Sequence, residues 1–391
     1  MLKIPAAELP TFRRRMQSWF AQRKRDLPWR GTRDAYRIWL SEIMLQQTRV
    51  AAVIPYYERF LEAFPNVQAL ARAATDGVLA NWAGLGYYSR ARNLHRAAKE
   101  IVSRHAGEFP REYEAALALP GIGRYTAAAV LSIAYDQPYA VLDGNVARVL
   151  ARIGAVRGDL RAPARWRKLD ATAQGLLDRN APGDWNQAMM ELGATLCTPK
   201  SPRCAECPVE KWCRARALGI AEKLPSARKK RAAVKVTLAA AVLLDPRGRT
   251  LLVRQPDGDG ALFSRLWQFP ALESTGKDLS PALAGHLQEK FGVAGKDCLT
   301  PLTAARHTVT FRNIRLEPYL VRLARLPRLT GARIVALAQI RRLPISSATQ
   351  KIADAAIAKI RPPVTSHPTN SSSVRAITRY ASRDPLRPAG C

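Results

Sequence analysis

Four cysteines stand close together within residues 197–213. Their spacing, C-x6-C-x2-C-x5-C, would bring four thiolates within reach of one small inorganic centre, either a [4Fe–4S] cluster or a structural zinc ion. Two disulfides are the alternative, but the chain opens with no secretory signal pattern, which favours a reducing compartment and metal ligation. Zinc sites more often pair two CxxC or Cys/His elements, whereas this stretch has one CxxC and no neighbouring histidine, so a [4Fe–4S] cluster is favoured. The predicted ligands are Cys197, Cys204, Cys207 and Cys213.

The chain is strongly basic for its length. It has 391 residues, and its 62 Lys and Arg against 31 Asp and Glu give a net charge of +31. Hydrophobic residues make up 47%, enough for packed cores, and the length predicts two or three domains. No run approaches the roughly 18 apolar residues of a membrane span. The charge therefore predicts a polyanionic partner, nucleic acid ahead of an acidic membrane surface, although a proteome-wide bias toward Arg and Ala would also raise it.

Two acidic residues occupy positions that suit catalysis. Apolar periodicity predicts helices over residues 8–25 and 34–52, and Glu42 lies among apolar neighbours in the second. Glu42 is either part of a polar surface stripe or a desolvated carboxyl whose raised pKa suits proton donation. Asp143 stands in a turn ahead of another predicted helix, where it either caps free N–H groups or takes part in the chemistry.

Two glycine-containing turns suit contacts with DNA. Gly121 and Gly123, in the sequence Leu-Pro-Gly-Ile-Gly between two predicted helices, would let backbone N–H groups approach a phosphate at a positive helix end. The segment at about 113–134 therefore predicts a helix-hairpin-helix, a sequence-independent grip on the DNA backbone. A second turn, over residues 84–92, presents two tyrosines and two arginines for stacking and phosphate pairing, or it simply forms a helix–helix corner. Its predicted DNA-backbone contacts are Arg90 and Arg92.

The pattern changes from helices to strands after a basic linker. Residues 1–222 are predicted to be helical, and residues 223–235 form the linker. Alternating strands with few helices predict an α+β domain over residues 236–360. Residues 361–391, rich in Ser, Pro, Thr and Arg, predict a disordered tail. The predicted fold class is a mainly α helix-hairpin-helix region with the cysteine loop, followed by an α+β domain.

Several motifs together resemble one family of DNA repair enzymes. The hairpin LPGIGRYTA, the loop VLDGNVARV and the cysteine spacing resemble the iron–sulfur DNA glycosylases related to endonuclease III. The segments LPWR, SEIMLQQTRV, GLGYYSRARNL and NQAMMELGA look like the adenine-specific, MutY-type branch. The resemblance covers roughly residues 8–220, and the α+β region resembles the Nudix-like C-terminal domain of that branch. No Nudix catalytic box is present in residues 236–360, so pyrophosphate hydrolysis is not expected there.

The resemblance implies a role for each acid. Glu42 would protonate N7 of adenine, and Asp143 would stabilise the oxocarbenium ion that develops at the sugar. Tyr125 would hold that site in shape, and the target base would first be flipped out of the duplex. The residues that match the family's base pocket are Arg25, Trp29, Leu45, Asn145 and Gln187. Those that match the wedge, which fills the gap in the base stack, are Gln47 and Tyr87.

Position 125 also bears on the type of reaction. Relatives that both excise a base and cut the strand carry a lysine here, whose amine forms a Schiff base with the sugar. Tyr125 has no amine, so the sequence predicts a monofunctional glycosylase without efficient lyase activity.

The MutY-type branch typically reads 8-oxoguanine with a Phe-Ser-His turn in its C-terminal domain. The corresponding residues here are Val309, Thr310 and Phe311, with His307 nearby. Thr310 retains a hydroxyl where the family has serine, whereas the other two positions differ. His307, Thr310 and Phe311 are therefore the predicted lesion-recognition residues.

The resemblance implies base excision repair of double-stranded DNA containing adenine opposite 8-oxoguanine or guanine. It also implies a monomer in the cytoplasm, associated with the nucleoid and with no membrane partner. Two other hypotheses stay open. One is a thymine glycosylase acting on G·T mismatches, since those relatives share a tyrosine at the hairpin position. The other is a non-enzymatic iron–sulfur DNA-binding protein whose carboxylates are structural.

Overall fold

The computed structural model describes residues 4–226, 232–254, 263, 266–274, 279–294, 298–309 and 311–360. Its first region is made of α-helices joined by loops and short 3-10 turns. None of the helices in these ranges is long and apolar enough to cross a membrane. The helices of the first region are α1 (Leu9–Arg23), α2 (Ala35–Leu45), α3 (Val50–Ala63), α4 (Val67–Arg72), α5 (Thr75–Asn81), α6 (Ser89–Arg104), α7 (Tyr113–Ala118), α8 (Arg124–Tyr135), α9 (Gly144–Ile153), α10 (Pro163–Leu176), α11 (Pro182–Thr195) and α12 (Arg214–Ala217).

The first region has two large hydrophobic cores, and α8 contributes to both. Ala127 and Val130 pack into the core formed with α2 to α6, whereas Ala128 and Ala129 pack into the core formed with α1, α9 and α11. The small alanine side chains let α8 lie close to helices on opposite sides, and most of its residues are buried. The first turn of α8, which carries Tyr125, consequently lies at the boundary between the cores.

The predicted single helix over residues 34–52 is wrong, because the chain breaks there into α2 and α3. Asp34 starts α2 by accepting the N–H of Tyr36 at 2.8 Å, and the helix ends at Leu45. Gln47 then adopts a left-handed conformation with a φ of 58°. A non-glycine residue in this conformation cannot continue a right-handed helix, so the chain turns before α3 begins.

The helix-hairpin-helix is formed by α7, α8 and the exposed turn between them. Gly121 has a φ of 77°, and a Cβ atom at this position would lie 2.6 Å from the Cβ of Asn93. Glycine is therefore required for both the backbone conformation and the close packing. No side chain caps the start of α8 at Gly123, so the first N–H groups of this helix are left for another acceptor.

The described part of the second region is built on one mixed sheet. Strand β1 (Val234–Leu244) lies at its centre, pairing antiparallel with β2 (Arg249–Arg254) and β4 (Ala271–Ser274) and parallel with β7 (Arg312–Arg322). Strand β7 also pairs antiparallel with β5 (Thr300–Pro301) and with β6 (Ala305–Val309), which forms a hairpin with it. Strand β2 also pairs antiparallel with β3 (Trp267–Gln268) and β8 (Ala332–Ala336).

A helix covers each face of this sheet. Leu238 and Val242 of β1 point into the core beneath α14 (Ser347–Ile360), whereas Ala239 and Leu243 point into the core beneath α13 (Leu279–Phe291). This alternation follows from the two-residue period of a strand, and both sets are buried because both faces are covered. The predicted order of a helical region followed by an α+β domain is therefore confirmed. Predictions for the tail over 361–391, and for residues 227–231 of the linker, lie outside the described residues.

The two regions pack directly against each other. The Tyr88 hydroxyl of the first region donates to the Ile345 carbonyl of the second at 2.5 Å, and both residues are buried. At the edge of this contact Arg254 pairs with Asp76 at 2.7 Å. Leu266 belongs to the second region but packs into the core that α8 shares with α2 to α6. The contact between the two regions therefore includes buried apolar packing.

Candidate active site

A cavity of about 470 Å³ opens between α2, the first turn of α8, the start of α9 and α11. This volume is within the range of small-ligand sites. All but one of the residues predicted for catalysis, base pocket and wedge line it; only Tyr87 is absent from its wall. The predicted residues in the wall are Arg25, Trp29, Glu42, Leu45, Gln47, Tyr125, Asp143, Asn145 and Gln187.

Glu42 is buried in α2 and faces Tyr125. The Tyr125 hydroxyl donates to Oε2 of Glu42 at 2.6 Å and also lies 3.1 Å from the Met190 sulfur. Burial raises the pKa of Glu42 to about 7, against the lowering effect of the Tyr125 hydrogen bond, and the nearby charge of Asp143 raises it further. A carboxyl with this pKa is protonated in a large fraction of molecules at neutral pH, as a general acid requires.

Asp143 caps α9 and faces the same cavity. Its Oδ1 accepts the N–H of Val146 at 2.7 Å, and its Oδ2 accepts the amide of Asn145 at 3.0 Å. Burial raises the pKa of Asp143, while these N–H donors act to lower it. The two interpretations of Asp143, helix cap and functional carboxylate, are thus compatible, since the residue that caps α9 also lines the cavity.

A buried arginine connects Asn145 to the cysteine loop. Arg148 donates to Oδ1 of Asn145 at 2.9 Å and to the Cys197 carbonyl at 2.9 Å. One turn further along α9, Arg152 is 1% exposed and donates to the Cys197 sulfur at 3.3 Å and to the Thr198 carbonyl at 2.7 Å. The cationic helix α9 therefore lies between the carboxylates and the four thiols.

The four cysteines line one cavity, and each is a free thiol, so no disulfide joins them. In the described ranges no three His, Cys, Asp or Glu side chains are placed to ligate a single metal ion. Four thiols around one cavity are the donor set of a [4Fe–4S] cluster or of a structural zinc ion.

An ion-pair cluster in the cavity wall was missed by sequence reasoning. Glu191 has a side chain that is 0% exposed, and Arg25 donates to both of its carboxylate oxygens at 2.7 Å. Arg30 also donates to Oε2 of Glu191. Burial raises the pKa of Glu191, but the two arginines outweigh this effect and lower the pKa to about 2. Glu191 lies four residues after Gln187 on α11, so the helical spacing from a predicted pocket residue was the available clue.

The two predicted wedge residues share an unusual backbone conformation. Gln47 is exposed at the edge of the cavity with a φ of 58°, and Tyr87 is 43% exposed with a φ of 49°. Non-glycine residues rarely adopt left-handed conformations, and such residues cluster at functional sites. Both side chains are thus displayed from tight loops.

Arg90 does not lie where the sequence prediction of a DNA-backbone contact requires. Its guanidinium points inward and donates to main-chain carbonyls, including that of Gln46 at 2.6 Å. Arg92, two residues further along α6, is half-buried. Gly121 and Gly123 of the predicted backbone contacts are exposed in the hairpin turn. Only the glycines therefore have the exposure expected of a phosphate contact.

Two of the predicted lesion-recognition residues, His307 and Phe311, lie at the β6–β7 hairpin of the second region. His307 is on β6, and its ring centroid is 5.8 Å from that of Phe263. Phe311 lies at the turn and accepts the N–H of Val234 with its carbonyl at 2.8 Å. Thr310 lies outside the described residues.

Comparison with known proteins identifies both regions. Residues 40–171 match the HhH-GPD family, described as "HhH-GPD superfamily base excision DNA repair protein", and residues 239–355 match a NUDIX domain. The chain is 28% identical to a solved thermostable thymine-DNA glycosylase, with a TM-score of 0.50, over 54% of this chain and 98% of that one.

The chain is also similar to curated adenine DNA glycosylases. It is 50% identical to that of Homo sapiens over 54% of this chain and 40% of the relative, and 35% identical to that of Arabidopsis thaliana over 73% and 51%. It is 41% identical to the adenine DNA glycosylase of Buchnera aphidicola subsp. Acyrthosiphon pisum, over 52% of this chain and 58% of the relative. The chain spans about half the length of the curated relatives it matches. Residues 40–171 therefore form an HhH-GPD domain of the base excision DNA repair type, and residues 239–355 form a NUDIX domain.

Proposed function

We propose that this chain is a monofunctional DNA glycosylase that removes adenine paired with 8-oxoguanine or guanine in double-stranded DNA. The observation that carries the proposal is the pairing of buried Glu42 with the Tyr125 hydroxyl, across one cavity from Asp143. The similarity to curated adenine DNA glycosylases supports adenine as the released base.

The cavity offers the two charges that cleavage of an N-glycosidic bond needs. Glu42 gives its proton to N7 of adenine as the C1′–N9 bond breaks and the bonding electrons leave with the base. Asp143, ionised, stabilises the positive charge that develops on the sugar. Water then adds to C1′, and its proton passes to the Glu42 carboxylate, which restores the acid.

The pocket residues would hold the flipped base. Arg25, fixed by Glu191, and the Gln187 amide supply polar partners for its edge, while Trp29 and Leu45 supply apolar walls. Gln47 and Tyr87 would enter the gap left in the stack. The uncapped start of α8 at Gly123, with Gly121 before it, would bind a backbone phosphate.

The four cysteines would hold a [4Fe–4S] cluster. When bound, the cluster would fix the shape of the cysteine loop, whose exposed lysines and arginines then face the DNA backbone. Arg148 and Arg152 hold the start of this loop through the Cys197 carbonyl and sulfur. The protein's own side chains carry out every step of base removal described above.

The second region would read the base opposite adenine. We infer that His307, Thr310 and Phe311 contact 8-oxoguanine. The direct packing of the two regions, through Tyr88 and Ile345, supports joint action of residues 1–222 and 236–360 on one duplex by a monomer. Phe311→Ala should therefore reduce the preference for 8-oxoguanine over guanine and leave adenine release opposite guanine nearly unchanged.

The experiment that tests the function is single-turnover excision on a panel of duplexes. The panel contains A opposite 8-oxoguanine, A opposite G, T opposite G and undamaged A·T, each developed with and without alkali. Adenine release that is fastest opposite 8-oxoguanine, with strand breaks only after alkali, is the expected result. Equal rates opposite G and 8-oxoguanine would remove the lesion-reading role of the β6–β7 hairpin but keep the chemistry.

Thymine release from G·T mismatches is the second candidate. It is favoured by the 28% identity to a thymine-DNA glycosylase across nearly all of that protein's length. Release of thymine, and not adenine, from the same panel would select it. Binding of all four duplexes without release of any base would select the non-enzymatic hypothesis.

A further inference from the structure

Two separate loops carry the exposed side chains of Gln47 and Tyr87. The first joins α2 to α3, and the second joins α5 to α6. Each loop contains a left-handed non-glycine residue, Gln47 in the first and Tyr87 in the second. Such conformations are unfavourable and persist only where surrounding contacts over-determine them. The structure must therefore contain groups that hold these two loops.

Arg90, in the first turn of α6, contacts both loops with one guanidinium group. From the first loop and the end of α2, Nη1 contacts the carbonyls of Ile43 at 2.8 Å, Met44 at 2.9 Å and Gln46 at 2.6 Å. The other nitrogen, Nη2, contacts the Thr48 hydroxyl at 3.2 Å. The guanidinium thus binds main-chain carbonyls on the N-terminal side of Gln47 and a side chain on its C-terminal side.

The same Nη2 atom contacts the second loop. It donates to the carbonyls of Leu85 at 3.3 Å and Gly86 at 3.2 Å, directly before Tyr87. The guanidinium carbon lies 5.4 Å from the ring centroids of both Trp82 and Tyr87. One side chain therefore ties the backbones of the two loops together and also contacts the ring of the exposed tyrosine.

The chemistry of arginine suits this arrangement. Its planar group presents donors in fixed directions and stays charged, whereas lysine offers one compact ammonium group on a flexible chain. Carbonyls at the end of α2 lack partners within their own helix and carry partial negative charge, so a cation is favoured there. Burial lowers the pKa of Arg90 to about 10, which leaves the group protonated at neutral pH.

We propose that Arg90 is a positioning residue that locks the two loops to each other and thereby sets the spacing at which Gln47 and Tyr87 enter the DNA stack. This inference rests on the proposed function, because it takes the two side chains to be the wedge. It replaces the sequence-based assignment of Arg90 to the DNA backbone.

The two roles for Arg90 predict different responses to substitution. A phosphate contact that is lost lowers the slope of log K against log salt by about 0.9. A positioning residue can be exchanged for lysine with the slope unchanged, while insertion of the wedge and excision are impaired. Lysine can replace arginine at a phosphate but cannot contact six acceptors. Arg90→Lys should therefore leave unstacking and excision nearly unchanged if Arg90 binds DNA, and impair both if Arg90 positions the loops.

The experiment uses the full chain and a duplex with a non-hydrolysable 2′-fluoro analogue of adenosine opposite 8-oxoguanine, with 2-aminopurine as the neighbouring base. Fluorescence of 2-aminopurine reports unstacking when the wedge enters, and anisotropy gives affinity and salt slope. Excision is measured in single turnover on the matching natural substrate. Arg96→Lys, an exposed position on the same helix, is the matched control.

For Arg90→Lys we expect an unchanged salt slope, a fluorescence rise below half that of the wild type, and excision slower by about 100-fold. A lower slope with a normal fluorescence rise would overturn the proposal in favour of a DNA contact, and wild-type behaviour in both assays would overturn it outright. If Arg90→Lys does not fold, Thr48→Val removes one contact of the guanidinium and should reduce the fluorescence rise in part; an unchanged rise would contradict the proposal. Wild-type protein that unstacks 2-aminopurine but releases no adenine would refute the proposed function and leave the positioning role standing.

Discussion

The Tyr125 hydroxyl donates a 2.6 Å hydrogen bond to Oε2 of Glu42. This contact is between the first turn of α8 and the middle of α2, and it is the point where the helix-hairpin-helix meets the buried acid. Burial raises the pKa of Glu42, and the Tyr125 hydrogen bond opposes that rise. The hydroxyl therefore sets how much of the acid is protonated near neutral pH.

Changing Tyr125 to Phe should move the pH dependence of excision toward alkaline pH. Wild-type excision should fall as pH rises through about 7, because Glu42 then loses the proton it must donate. Without the hydroxyl, the carboxylate form loses a donor and the pKa of Glu42 rises. Single-turnover rates between pH 5 and 9 would check this, and an alkaline limb that stays in place would contradict the assignment of Glu42 as the acid.

The Glu42→Gln variant should abolish excision while it stabilises the fold at neutral pH. Loss of a general acid costs roughly 10²–10⁴-fold in rate. Because folding raises the pKa of Glu42 from 4.5 to about 7, the wild type loses stability as pH rises through this window. The variant lacks that loss, so its Tm should exceed that of the wild type at pH 8 and approach it at pH 4.5. Duplex affinity should be nearly unchanged, and retained excision would favour a structural role for Glu42.

The Glu191→Gln variant should be strongly destabilised. The substitution removes the negative charge that Arg25 and Arg30 share and leaves Arg30, whose side chain is 11% exposed, largely buried without a counter-charge. Breaking a buried pair in this way costs about 3–5 kcal/mol, measurable by urea denaturation. Glu58→Gln, at an exposed position of α3, is the control and should change stability by less than about 0.5 kcal/mol.

Purified protein should contain about four iron atoms per chain, with visible absorption from an iron–sulfur cluster. Cys207→Ser should lose most of that absorption, since its thiol lines the cavity shared by the four cysteines. Cys298→Ser is the matched control, because Cys298 is an exposed free thiol outside this cavity. One zinc ion per chain, in place of iron, would contradict the assignment of the cofactor.

The helices, the hairpin and the cysteine loop could be predicted from sequence because each rests on local rules. Apolar periodicity, a capping aspartate and paired glycines act within a few residues of one another. Glu42 and Asp143 needed the family resemblance, since a lone acid in a helix or at a cap is usually structural. The structure then brought both into one cavity.

Contacts across long sequence distances could not be predicted in this way. Glu191 and Arg25 are 166 residues apart, and nothing local in either segment marks the pair. The break after α2 contains no proline or glycine from which it could be predicted. The turn there is stabilised by Arg90, which lies more than forty residues away from Gln46 in the sequence. An arginine next to two tyrosines looks like a surface cation until its acceptors are known.

The bond between the Tyr88 hydroxyl and the Ile345 carbonyl, with Leu266 seated in the first core, bears on how the protein can be cut into pieces. A fragment ending near residue 226 would lose the leucine that fills its own interior, and it would expose the surface around Tyr88 to water. Such a fragment would be prone to aggregation. Its reduced activity would reflect damage to the first region as much as the absence of the second region. Substitutions within the intact chain avoid this ambiguity and are therefore the better way to assign a function to each region.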